Sequence, residues 1–302
     1  MSDEKILDRP FPALTSAQRY HLEVHGYVVV ENVLTYDECQ ILTEALYQLK
    51  AELLDLSDPS INGPRVHGSF LLGGTDYHHL LTNIVEVPHV TAYATHPRLV
   101  GMAEELLGGE PRMVEMNAQI NRRDPNQIPE TEPHFSFHRG TDVPFASHTY
   151  HGLYHCNFVK TLTNLTDLGP DDGGTVVITG SHKLEFPEEQ LIQCAYDDRS
   201  LIHQVVAPAG STLLFSETLI HATGPLRSDK ERVIIVTGYG ATMFPYWDYG
   251  TLSEEFARQI PLHLKTLFLG KTHWTRGARY RRLSDPPDTR RFELGHWSGR
   301  SV

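Results

Sequence analysis

A mostly β fold with flanking helices, of the jelly-roll or cupin-like double-sheet kind, is predicted by three features of the sequence. From about Arg112 onward, short runs rich in β-branched and aromatic residues alternate with clusters of Gly, Pro and Asp, the signature of many short strands joined by tight turns. Before that point, apolar residues recur at helical spacing behind Thr-led caps, so the first 110 residues read as mostly helical. The composition, 40% hydrophobic and 21% charged over 302 residues, is that of an ordinary globular protein with enough apolar material for a sizeable core.

Taken in order, Thr15-Ser16-Ala17-Gln18 caps a helix over residues 19–25, Gly26 stops it, and residues 27–30 (Tyr-Val-Val-Val) form a short strand. Thr35-Tyr36-Asp37-Glu38 caps a second helix running to Leu54, with apolar positions at Ile41, Leu42, Ala45, Leu46, Leu49 and Leu53. Residues 97–107 give a third helix, ended by Gly108-Gly109. Strands are expected over 113–121, 157–165, 174–178, 200–206, 212–215 and 232–239. Turns separate them at residues 169–174, at Gly180-Ser181-His182 and at Pro208-Ala209-Gly210. A helix over 253–260 and a basic tail close the chain. The expected organisation is a single domain over 1–302: a helical part (1–110), a β core (111–245), and a C-terminal helix with the tail (246–302).

The formal net charge of −12 disfavours nucleic-acid polymers and anionic membranes as partners. From Lys271 to Val302, eight Lys/Arg face three acids, a local +5 that leaves −17 on the rest. This tail reads as a solvated segment pairing with the acidic body, with anion binding as the alternative. No stretch approaches the roughly 18 uncharged residues of a membrane span. Met1-Ser2-Asp3-Glu4-Lys5 has no apolar run behind it, and a cytoplasmic location is expected. Cys39, Cys156 and Cys194 show no metal or disulfide spacing and are expected to be small buried hydrophobes. The sequence leaves the oligomeric state open.

Chemistry concentrates in the histidines. His134, His138, His148, His151 and His155 fall within 22 residues. His221 lies in Phe215-Ser216-Glu217-Thr218-Leu219-Ile220-His221-Ala222-Thr223-Gly224-Pro225, eleven residues before Arg232 at the head of an apolar strand. Histidine clusters are metal-site candidates, and an arginine buried in such a strand needs an anionic partner.

Over Leu14 to Tyr239 the chain resembles the phytanoyl-CoA dioxygenase-like iron(II)/2-oxoglutarate oxygenases. The resemblance rests on the entry helix and strand, on the run from Asp171-Asp172-Gly173-Gly174 through Gly180-Ser181-His182-Lys183, and on the His221-to-Arg232 spacing. It implies a double-stranded β-helix that holds iron(II) between two sheets and uses 2-oxoglutarate and O2. By that resemblance His138 and His221 match the two histidine ligands. Arg232 matches the residue that pairs with the far carboxylate of 2-oxoglutarate, and Thr223 a hydroxyl that helps hold it. The departure is at Gly140, where the family's His-X-Asp/Glu triad has its carboxylate.

Two neutral imidazoles with a 2-oxoglutarate dianion leave iron(II) short of one anionic ligand. In halogenases of this superfamily a His-X-Gly or His-X-Ala motif admits chloride there, and His138-Arg139-Gly140 fits that pattern. The resemblance therefore implies chlorination of an unactivated C–H bond of a small molecule in antibiotic or other natural-product biosynthesis. The overall likeness is greatest to halogenases acting on a deoxyadenosine nucleotide, whose phosphate Arg139 or the basic tail would meet.

Other readings stay open. Asp142 reaches the metal in a bulged loop; Glu217 shares the face of His221 on a regular strand and serves as a displaced carboxylate; His134 replaces His138. Thr141 binds 2-oxoglutarate or forms a turn, and Lys160 meets an anion in the barrel or sits on a strand edge. His148, His151 and His155 are loop or pocket residues, and His182 is structural. A hydroxylase of the same family, or a catalytically silent binding protein on the same fold, are the rival functions.

Overall fold

The computed structural model describes residues 14–126, 133–140, 146–150, 152–246 and 251–271. The basic tail beyond Lys271, together with Thr141, Asp142 and His151, lies outside them.

The N-terminal helices form where the caps predict. Helix α1 (Ser16–His25) and helix α2 (Tyr36–Leu54) each begin at a Thr whose hydroxyl accepts from the third helical N–H, while Gln18 or Glu38 reaches back to the cap. Gly26 ends α1 at φ +85°, a left-handed conformation that glycine adopts without a Cβ penalty. Strand β1 (Tyr27–Val30) follows directly. Helix α2 buries Leu42, Leu46, Leu49 and Leu53 to 2% exposure or less, each burial stabilising by roughly 1.5–3 kcal/mol. The short α3 (Val90–Ala94) and α4 (Pro97–Leu107) pack beside it in the same core.

One element of this half is absent from the sequence reading. A hairpin of β2 (Phe70–Thr75) and β3 (His78–Thr82) interrupts the helical region. Its turn residues and the polar His78-His79 pair break the alternation that identifies a strand in sequence, and β3 gains its place by pairing with β4 (Pro111–Asn121).

The remaining strands are β5 (Ser147–Tyr150), β6 (Leu153–Cys156), β7 (Phe158–Asn164), β8 (Val176–Ile178), β9 (Ile202–Gln204), β10 (Thr212–Ser216), β11 (His221–Ala222) and β12 (Arg232–Ala241). Among the described residues, seven of the twelve strands form an antiparallel sheet in the order β1-β10-β7-β12-β4-β3-β2. A smaller sheet, β11-β8-β9, is extended by a bridge between His138 and His221. This is the expected jelly-roll architecture, mostly β with flanking helices. Helix α5 (Glu188–Asp197), absent from the sequence reading, follows Pro187 with two acids in its first turn. Helices α6 (Glu254–Gln259) and α7 (Lys265–Leu269) come last. Among the described residues no helix is long and apolar enough to cross a membrane.

Strand parity gives the large sheet two different faces. Val233, Ile235 and Tyr239 of β12, with Met116, Ala118 and Ile120 of β4, enter the core beneath the helices. Their neighbours Arg232 and Val236, with Glu115, Asn117 and Gln119, line a cavity on the opposite face. Cys39 and Cys156 are buried as expected, whereas Cys194 on α5 is exposed, because its helix turns Leu191 and Ala195 inward instead.

Candidate active site

The two histidines expected to act together do meet. His138 and His221 exchange both main-chain hydrogen bonds at 3.0 Å, and their ring centroids lie 4.4 Å apart. Each Nδ1 sits against a carbonyl two residues back, Ser136 O at 3.2 Å and Leu219 O at 2.8 Å. With the proton on Nδ1, each Nε2 carries the lone pair. Burial, with His138 adding to it, pushes the His221 imidazole down to about 3, so this ring is neutral at physiological pH, the form that ligates metals.

Both rings border a cavity of about 350 Å³ that also contains Gly140, Lys160, Glu217 and Arg232. Arg232 is 2% exposed. Its Nη1 donates to Gln119 Oε1 at 3.1 Å, and its Nε has no partner. Burial lowers it to about 10, which leaves it cationic at neutral pH and in want of an anion. Thr223, in the turn after β11, lies on the shared rim of this cavity and a wider one of about 560 Å³. The wider cavity also reaches His134, Arg122, Arg123 and Arg227.

The space beside Gly140 is occupied. Gly140 N–H donates to Glu217 O at 3.0 Å, and a Cβ at position 140 would stand 1.2 Å from Glu217 Oε2. The parity argument assumed a regular strand through Glu217. The chain instead turns after β10, with Leu219 N–H bonded back to Ser216 O, and that turn delivers the carboxylate.

Lys160 lies inside the barrel. On β7 it stands between Phe215 of β10 and Gly238 of β12, and Glu115 of β4 lies beyond Gly238 on the same rung. Gly238 contributes no side chain, so the Lys160 ammonium reaches over it to form an ion pair with Glu115, and lies 3.5 Å from Glu217 Oε1. Burial alone would lower the Lys160 pKa, but Glu217 and then Glu115 outweigh it and hold the ammonium above its usual range.

Other sequence candidates are placed elsewhere. Arg139 points away from the cavity, its guanidinium donating to Leu184 O at 3.1 Å and Ser181 O at 3.4 Å. His148 and His155 stack at 5.6 Å across the β5–β6 hairpin, with His155 buried against Leu106 O of α4. His134 packs on Tyr196. His182 is 3% exposed, packed edge-on to Tyr154 and against the bare face of Gly26. Glu115 and Gln119 escape the sequence reading; the signal that reveals them is inward parity on β4, the strand paired with that of Arg232.

Fold and pocket together define a class: a cupin-like double sheet whose interior gathers two histidines, a buried arginine and a lysine–carboxylate group. Residues 22–234 match the sequence profile of the phytanoyl-CoA dioxygenase (PhyH) family, and the chain belongs to that family. A dioxygenase from Gibberella moniliformis, FUM3, is 36% identical over 76 residues, covering 25% of this chain and 22% of its own length. The match thus spans about a fifth of that relative. The fold is shared with HygX from Streptomyces hygroscopicus, solved with nickel, 2-oxoglutarate and hygromycin B, at TM-score 0.61, 20% identity, and 78% of this chain against 90% of that one. It is shared too with the non-haem α-ketoglutarate-dependent carbocyclase SnoK of nogalamycin biosynthesis, at TM-score 0.57 and 17% identity, over 83% of this chain and 94% of that one.

Proposed function

We propose that the chain is a mononuclear iron(II)- and 2-oxoglutarate-dependent oxygenase that oxidises a C–H bond of a small molecule. The helical part, the β core and the C-terminal helix act as one catalytic domain in this reading. The observation that carries it is the pair of bridged imidazoles facing the same cavity as a buried arginine with an unpaired Nε. Bound iron supplies activation of O2, and 2-oxoglutarate supplies two electrons as it decarboxylates to succinate.

The chain's residues do the rest. His138 and His221 hold the metal through Nε2, each fixed in tautomer by its Nδ1–carbonyl contact. Arg232 binds the far carboxylate of 2-oxoglutarate, with Gln119 orienting the guanidinium, and Thr223 donates from the rim. The wider cavity takes the substrate. Arg122, Arg123 and Arg227 at its wall outnumber the one acid there, Asp124, and with Asp229 holding Arg123 Arg122 and Arg227 are left to favour an anionic group, which suits the deoxyadenosine nucleotide expected from the sequence. The fold shared with HygX, solved with hygromycin B, and with SnoK of nogalamycin biosynthesis supports a role in natural-product biosynthesis.

Halogenation is the second reading, favoured by Gly140. It requires chloride beside the Glu217 carboxylate, a like-charge contact that Lys160 offsets only in part because it also serves Glu115. Oxygen transfer is therefore the better supported outcome. Anaerobic addition of iron(II) and 2-oxoglutarate is expected to give a visible charge-transfer band, and its absence would remove the whole reading. Turnover of candidate nucleotides with and without chloride or bromide, followed by mass spectrometry, separates hydroxylated from halogenated product.

A further inference from the structure

We infer that Glu217 is the chain's own anionic iron ligand, delivered from the turn after β10 to replace the carboxylate missing at position 140; this rests on the iron-dependent reading above. Four observations point the same way. Glu217 is 2% exposed, and the cation beside it, Lys160, is shared with Glu115, so the charge buried at that depth is only partly compensated. Its Oε2 occupies the space where the side chain of an Asp or Glu at 140 would begin. Its Oε1 accepts no hydrogen bond, and the Lys160 ammonium lies 3.5 Å away. Finally, it borders the same cavity as both histidines.

Gly140 is then explained by what it accommodates: any side chain there would collide with the Glu217 carboxylate. Among the described residues no three His, Cys, Asp or Glu converge at metal-binding distance, so Glu217 must rotate about its side-chain bonds to close on the metal. Lys160 permits this, since Glu115 keeps its ammonium paired when Glu217 leaves. The resulting donor set, two imidazoles and one carboxylate, is that of non-haem iron(II) oxygenases, assembled from a different chain position.

The test is metal affinity, read by anaerobic calorimetry with iron(II) alone on the full chain. Glu217→Gln, close to isosteric, and Glu217→Ala are each expected to weaken binding at least tenfold, with circular dichroism confirming the folded state. Adding Gly140→Asp to Glu217→Ala returns the carboxylate to the other strand and is expected to recover most of the lost affinity. Parent-like affinity in both single variants, or a double variant no better than Glu217→Ala, would overturn the assignment of Glu217 while leaving the iron-dependent reading intact. A parent chain that binds no iron(II) would overturn that reading itself.

Discussion

Arg232 shows what a single side chain contributes to this site. It is cationic, buried, and among the described residues hydrogen-bonded by one side-chain neighbour, so its unpaired Nε is costly until an anion arrives. Arg232→Met keeps the bulk and removes the charge. The expected result is a 2-oxoglutarate affinity about 10- to 100-fold weaker, the equivalent of losing about 1.5–3 kcal/mol of charge-assisted hydrogen bonding. Iron(II) affinity is expected to stay unchanged, and titration of the charge-transfer band measures the first while calorimetry measures the second. The His221–Arg232 spacing was legible in the sequence because both residues bracket a turn and open strands, a local pattern. The contact between Gly140 and Glu217 was not, because it joins segments 77 residues apart through a turn whose path depends on both.

At the scale of elements, glycines decide where sheets and helices approach. Gly238 is the gap in β12 over which Lys160 reaches Glu115; a Cβ there would lie 2.7 Å from the Phe158 ring and 3.1 Å from Glu115 Oε2. Lys160→Met leaves a buried carboxylate, Glu217, and a half-buried one, Glu115, without their cation, with an expected loss of about 3 kcal/mol in denaturant unfolding. Gly26 links α1 to β1 in a left-handed conformation, and a Cβ at that position would stand 2.4 Å from His182 Nδ1. Gly26→Ala therefore combines backbone strain with a clash, and about 2 kcal/mol or more of stability is expected to be lost in the same measurement. Most of these elements follow from sequence alone: the caps at Thr15 and Thr35 and the β-branched runs of β1 and β12 act within a few residues. The β2–β3 hairpin and Lys160's inward position do not, because strand partners far along the chain set them.

For the molecule as a whole, buried histidines tie stability to pH. Burial, followed by the nearby Lys183, lowers His182 to about 4 from 6.5. The unfolded chain thus binds a proton that the folded chain refuses between these values. Stability from the neutral ring is complete above pH 6.5 and is lost as pH falls from there to about 4, a contribution of about 3 kcal/mol at about 1.4 kcal/mol per unit. His182→Leu is expected to flatten the decline of the urea midpoint between pH 6.5 and 4; an unchanged slope would place the acid sensitivity elsewhere. The jelly-roll class was readable because it follows from the repetition of short strands and turns. The polar interior is legible only once the sheet order places β4, β7, β10 and β12 side by side.

The hydrogen bond from Gly140 N–H to Glu217 O makes these two positions a single spatial address with two chain coordinates. If Glu217 is the iron ligand, a carboxylate at either one serves the pocket, and carboxylates at both compete for the same volume. Relatives of this chain should therefore carry acid and glycine at these positions as an exclusive pair. An evolutionary exchange between the two states passes most easily through a form with neither acid, since the form with both must house two negative charges in one space. A search for His-X-Asp along the sequence passes over this chain, because the nearest carboxylate to Gly140 belongs to a residue 77 positions away.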